Sequence, residues 1–278
     1  PSRHKRMIGA WCFLDHAGPV NFLAGEGMNV GPHPHIGLQT FTWMIEGQVR
    51  HIDSLGNSQM IYPNQVNLMT AGKGISHAEI SPTDKASTLH AAQLWIALED
   101  SHRHIEPQFQ NYPDLPMVDT ECFHATVLVG NSLGVTSPVS VFTPLVAVDL
   151  VAKQTSTFEL ELDPNFEHGI TLLEGEATVD GESLEAGTLL YFATGHSRVT
   201  ISGHAAARIL VIGGEPFKED ILLWWNFVAR TQEELEQARR DWAMETPRFG
   251  VITDQRAGNR LDAPSLEGLH LKAGRPTN

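Results

Sequence analysis

The sequence predicts an all-β protein: two β modules, each a sandwich or barrel, followed by one short helix and an arm. Three observations predict it. Strand-like runs of about four to ten residues alternate with Gly, Asn, Asp and Pro turns throughout the first 230 residues, a spacing typical of sandwiches and barrels. The same style restarts after Gly130–Pro138, which marks a linker between modules at 1–130 and 135–230. Helical periodicity is confined to one stretch, so 231–278 reads as a helix and a C-terminal arm.

In the first module, Thr40–Glu46 reads as a strand ended by Gly47, and Gln48–Asp53 as a second ended by Leu55-Gly56-Asn57. Gln59–Tyr62 and Gln65–Met69 are short strands. Ala71-Gly72-Lys73-Gly74 is a glycine-rich turn, after which Ile75–Ile80 is extended. LHAAQLWIAL, Leu89–Leu98, is apolar throughout, as a buried strand requires. Glu106 to Pro116 reads as a loop. In the second module the candidate strands are Val141–Ala152, Ser156–Leu162, Ile170–Leu173, Glu176–Val179, Thr188–Phe192, Arg198–Ile201 and Ala207–Ile212. The helix is Thr231–Met244. Thr231 and Glu234 have capping-box spacing, acids fill the first turn, and Leu235, Ala238 and Trp242 form one apolar stripe.

At 278 residues the chain is long enough to bury a sizeable core without covalent staples. Nineteen basic against 33 acidic residues give a formal net charge of −14, which repels phosphate backbones. Direct nucleic-acid binding is therefore not expected; the one basic cluster, Arg3-His4-Lys5-Arg6, is short. No apolar run reaches bilayer-spanning length, so no membrane partner is expected. No secretory leader is recognisable, and the start at Pro1 is consistent with trimmed upstream residues. Cys12 and Cys122 fit no metal or disulfide pattern, and a reducing, cytoplasmic setting suits them.

The chemistry-bearing stretches are GPHPHIGLQT (31–40) and GISHAEIS (74–81). In an extended chain residues i and i+2 share a face, so His33 and His35 aim at one point, as do His77 and Glu79. If the two pairs face each other across a barrel, three imidazoles and one carboxylate surround one vacancy. Such a nitrogen and oxygen set without thiolate suits Fe(II), Mn(II), Co(II) or Ni(II) and tolerates Zn(II) or Cu(II). Four protein ligands on an octahedral ion leave about two positions open for substrate, water or dioxygen. Each pair alone is also what chance produces in a chain with 14 histidines.

GPHPHIGLQTFTWMIEG followed by MTAGKGISHAE resembles the motif pair of the pirin family. IGAWCFLDHAGP (8–19), LHAAQLWIAL with EPQFQ (89–110), and GEPFKEDILLWWNFVARTQEELEQARRDW with RFG (214–250) are similar to further pirin segments. The resemblance implies a bicupin, two antiparallel β-barrel (jelly-roll) modules, with a metal ion, usually iron, held in the first by His33, His35, His77 and Glu79. It implies either a flavonol-cleaving dioxygenase of the quercetin 2,3-dioxygenase type or a metal-responsive, non-enzymatic coregulator that binds a protein partner. A storage or sugar-binding cupin is a weaker alternative. In the enzyme reading Glu79 takes the flavonol hydroxyl proton, and Phe41 and Trp43, counted by twos from His35, cover the substrate rings. The chain departs from the family pattern at Ile36 and Gln39, where many members have Arg and Glu. Counting by twos places Gln39 beside the metal histidines as a hydrogen-bonding neighbour.

The remaining polar residues read as structural. His16 and His90 are expected to make buried hydrogen bonds, and His51 with Asp53 to serve the turn that follows. His102 and His104 are expected to be solvated, and Glu174 and Glu176 to form a wet turn. Ser76 lacks the acid and oxyanion donors of a nucleophile. His168 and His196 leave the second module degenerate as a metal site. Because free histidine titrates near about 6.5, metal affinity is expected to fall as pH drops through that region.

Overall fold

The computed structural model describes residues 7–273, and the basic cluster at 3–6 lies outside them. The described chain is almost entirely antiparallel β structure, with one α-helix and two 3-10 turns. It forms two compact units, one containing Phe13–Pro113 with the chain from Lys218 onward, the other Met7–Cys12 with Asp114–Phe217. The division therefore falls near residue 114. The stretch 130–138, expected as a linker, lies inside the second unit, where Ser137 N–H donates to the Gly130 carbonyl and Ser137 Oγ to the Leu128 carbonyl.

The first unit holds two sheets. The five-stranded one has the order β1 (Trp11–Phe22), β8 (Ser87–Ala97), β3 (Leu38–Glu46), β6 (Val66–Thr70), β9 (Gln108–Tyr112). The four-stranded one has the order β2 (Asn29–His35), β7 (Ile75–Ile80), β4 (Val49–Asp53), β5 (Ser58–Ile61). Strand β9 corrects the expected loop at 106–116. Pro107 and Pro113 bracket it, but as an edge strand it tolerates proline at its ends. The two sheets meet face to face through aromatic contacts. His51 of β4 stacks on Phe109 of β9 at 4.1 Å, and His35 of β2 meets Trp95 of β8 edge-on at 5.4 Å.

These contacts define which side of the five-stranded sheet faces the histidines. Thr40 pairs with Met69 and Trp95, and Met69 with Phe109, so all four share that face. Gln39, Phe41 and Trp43 alternate onto the other face and are buried there. The expectation that they border the metal site is corrected. Gln39 Nε2 instead donates to Thr70 Oγ1 at 2.9 Å. The reason is Gly37, at φ +68°, which breaks the strand between His35 and Leu38 and resets the alternation. At this hinge Ile36 bridges to Phe227, and a Cβ on Gly37 would stand 2.1 Å from the Val228 carbonyl oxygen.

The helix α1 (Gln232–Ala243) starts as expected, with Thr231 Oγ1 accepting from Glu234 N–H. The Glu234 carboxylate returns to Arg230 N–H, one residue earlier than a capping box requires, and also accepts from Arg103. Its stripe of Leu235, Ala238 and Trp242 packs with Ile36, Phe227 and Phe249. Beyond it the arm lies on the outside of the four-stranded sheet: Ala257 packs on Ile52 and Ala78, and Leu261 N–H donates to the Pro32 carbonyl.

The second unit repeats the plan. Its six-stranded sheet runs Met117–Asp119, Phe123–Val129, Leu145–Ala152, Arg208–Gly214, Glu167–Glu174, Leu189–Phe192, and a four-stranded sheet accompanies it. Aliphatic residues such as Val127, Val148, Ile170, Ile201 and Ile209 fill it.

Gly37→Ala places a side chain where both the backbone angle and the Val228 carbonyl exclude it. The expected loss is about 2–4 kcal/mol of unfolding free energy, read from urea denaturation, with the wild-type slope retained.

Candidate metal centre

Strand pairing assembles the centre on the inner face of β2-β7-β4. His33 lies opposite His77 across β2 and β7, Asp53 lies opposite His77 across β7 and β4, and Glu79 lies opposite His51. A register shift between Val30 and His33 brings His33 level with His77. The two i,i+2 pairs are thus neighbours in one sheet, not partners across a barrel.

One nitrogen from each of His33, His35 and His77 lies within 4.8 Å of the other two, and all three side chains are buried. His35 Nε2 and His77 Nε2 are 3.0 Å apart. A second group, His51, His77 and Glu79, shares His77 and meets the same distance limit. The structure therefore groups His33, His35 and His77, and a second group joins Glu79 to His77 and His51. Among the described residues, metal-capable groups of three or more form only here, and neither includes His168 or His196.

Burial decides the protonation states. Removal from water holds the His33 imidazolium down to a pKa of about 4, and it lowers His35 and His77 well below the usual value, aided by their proximity to one another and to His33. Three neutral rings therefore offer lone pairs at one place, which is the donor chemistry a divalent transition metal takes. Burial also raises the Glu79 carboxyl above its usual range. Glu79 is half-buried, more exposed than any of the histidines beside it.

Two orienting features escaped the sequence reading. The Gly31 carbonyl accepts from His33 Nδ1–H at 2.9 Å, which leaves Nε2 of that ring as the free lone pair. Only glycine fits at 31, because a Cβ would stand 1.8 Å from the Asn259 carbonyl oxygen of the arm. The second is His51, whose Nε2 meets Asp53 Oδ2 at 3.1 Å and whose Nδ1 meets His77 Nδ1 at 3.3 Å. Asp53 does serve the turn, accepting from Leu55 N–H and Asn57 N–H, but His51 belongs to the centre. Burial alone would raise the Asp53 carboxyl; hydrogen bonds from His51 and Asn57 outweigh it and hold the group low. The i,i+2 pattern of His51 and Asp53 carried the signal.

The other residues behave structurally. His16 and His90 meet at 2.7 Å through their Nε2 atoms. Ser76 points outward and donates to the Phe249 carbonyl. Glu174 and Glu176 are exposed.

The low histidine pKa values revise the pH expectation. The unfolded chain protonates His33 near about 6.5, the folded one only near 4, so His33 lowers the stability of metal-free protein as pH falls between those values. The His33 contribution is about 3 kcal/mol, and His35 and His77 act in the same direction. Denaturation of chelator-treated protein from pH 7.5 to 4 checks it. Metal retention is expected to hold to below pH 5, since protons compete only near the folded pKa.

Comparison with known proteins gives a consistent result. Residues 2–96 match the pirin family model and residues 147–250 the pirin C-terminal cupin domain. The Pseudomonas aeruginosa protein named "Putative quercetin 2,3-dioxygenase PA1205" is 48% identical over 266 residues, 96% of this chain and 84% of its own length. A pirin-like protein of Caulobacter vibrioides is 33% identical over 249 residues, 87% of this chain and 85% of its own. The crystal structure of a quercetin 2,3-dioxygenase from Acinetobacter baumannii superposes with a TM-score of 0.95 at 56% identity, covering 99% of this chain and 91% of that one. With its two cupin jelly-roll units and its buried histidine cluster, the chain belongs to the pirin family.

Proposed function

We propose that the chain is a mononuclear metal-dependent dioxygenase acting on a flavonol, with His33, His35, His77 and Glu79 as ligands of a ferrous ion. The observation that carries the reading is the convergence of three neutral, buried imidazoles beside a half-buried carboxylate. The names of the 48% and 56% identical relatives agree with it. A bound ferrous ion supplies Lewis acidity and a redox-active template for the flavonol oxygens and dioxygen.

The chain's own residues do the rest. Glu79, the half-buried member of the cluster, is the proton acceptor in this reading. It groups with His77 and His51, and its carboxylate takes the flavonol hydroxyl proton when it swings off the ion. Its raised pKa brings it closer to neutrality, where a base accepts a proton most effectively. Trp95, edge-on to His35, and Phe109, stacked on His51, wall the histidines with apolar surface that keeps water out. The deprotonated flavonol then reacts with dioxygen and its ring opens.

A second reading draws on the burial of the same centre: His33, His35 and His77 are only 7%, 1% and 2% exposed. Such a site suits a metal-responsive protein whose surface is read by a protein partner without turnover.

Metal analysis and oxygen uptake with quercetin separate the two. Protein loaded anaerobically with Fe(II) is expected to hold the metal and consume flavonol and dioxygen together. His77→Ala is expected to lose both metal and turnover. Glu79→Gln is expected to lower turnover by about 10²–10⁴-fold. Metal held without oxygen uptake on any flavonol selects the second reading, and full turnover in metal-free protein sinks both.

A further inference from the structure

We infer that Asp53 and His51 form a relay that fixes the proton of His77 on Nδ1 and so keeps its Nε2 lone pair directed at the centre. The inference rests on the metal-centre reading above and assigns a positioning role to two residues outside the proposed ligand set.

The relay follows from what each atom is able to donate. Asp53 Oδ1 accepts from Leu55 N–H at 2.9 Å and Asn57 N–H at 3.0 Å, and Oδ2 accepts from Asn57 Nδ2 at 2.8 Å. A carboxylate fed by three donors is itself only an acceptor, so the contact at 3.1 Å is donated by His51 Nε2–H. In the singly protonated ring, His51 Nδ1 is a lone pair. The 3.3 Å contact to His77 Nδ1 is then donated by His77, whose single proton sits on Nδ1. Its Nε2, 3.0 Å from His35 Nε2, is left as a lone pair. His33 reaches the same state by a shorter route, its Nδ1–H donating to the Gly31 carbonyl. A carboxylate or carbonyl behind a ligating imidazole is the usual device for this; here a second imidazole is interposed. Burial of His51 and Asp53, 3% and 2% exposed, keeps water from substituting for either partner.

Asp53→Asn reverses the relay with little change of shape. The Asn oxygen still accepts from Leu55 and Asn57 N–H, while its NH₂ donates to His51 Nε2 and to the Asn57 side-chain oxygen, that amide having turned over. The His51 proton then moves to Nδ1, and the His77 proton to Nε2, where it blocks the lone pair. Affinity for Ni(II), an air-stable probe ion, is expected to fall about 10–100-fold by equilibrium dialysis. His51→Asn provides the reference background, because its amide at the Nδ1 position turns either way and accepts from His77 without reference to Asp53. Whatever affinity that variant has, adding Asp53→Asn to it is expected to cost no further Ni(II) affinity. Ring-nitrogen NMR of the metal-free protein is expected to show the His77 proton on Nδ1 in wild type and on Nε2 in Asp53→Asn. Thermal melts establish that each variant folds.

An equal loss from Asp53→Asn in the wild-type and the His51→Asn backgrounds would show that Asp53 acts through its turn, and the relay would be wrong. An unmoved His77 proton in Asp53→Asn, or a wild-type His51 ring carrying two protons, overturns it as well. If wild type binds neither Ni(II) nor Fe(II), the metal-centre reading fails by itself, and the NMR signature still decides the relay.

Discussion

The register of β2 on β7 on β4 is the constraint from which the centre follows. Side chains that face each other across paired strands have Cβ atoms about 5 Å apart. Three strands in register therefore deliver a row of close side chains without any long reach. His33, His77 and Asp53 form one such row, and His51 with Glu79 the next. The strand irregularity before His33 is what brings the first row level. Slipping any of these strands by one residue would turn its polar side chains to the outer face, where Ala78 and Ile52 meet the arm.

Placing five polar side chains in a dry interior carries a cost that the arrangement itself keeps small. A buried imidazole is tolerated when neutral and hydrogen-bonded, and an unpaired one is not. His33 is satisfied by its own strand, through Gly31, and His51 by Asp53. Asp53 in turn is saturated by the turn it organises. The polar network is thus closed on the β4 side and converges on the nitrogens of His33, His35 and His77, which is the condition for a site that waits for an ion without collapsing.

The two HxH and HxE pairs were legible because alternation within one strand is a local property, read directly from spacing. Their side-by-side placement was not, since pairing order is non-local. Gln39, Phe41 and Trp43 were assigned to the wrong face for a definite reason: counting by twos fails across a left-handed residue, and Gly37 is one. The strand at Gln108–Tyr112 was hidden by the prolines at its ends. The histidine ionisation was misjudged because a free-solution pKa ignores desolvation, which dominates at His33, His35 and His77. Helix α1 was read almost to the residue, because capping and a 3.6-residue stripe both lie within a dozen positions.

The arm that follows α1 shows how misleading a low-periodicity tail is. Its Gly- and Pro-rich composition invites trimming by anyone seeking a minimal version of the protein. Yet Phe249 receives the Ser76 hydroxyl, Ala257 plugs the back of β4 and β7, and Asn259 presses on the glycine whose carbonyl aligns His33. Cutting the polypeptide after α1 would strip the outer wall from the very strands that carry the imidazoles. Loss of cofactor in such a shortened protein would then report a missing buttress, with every coordinating side chain still present.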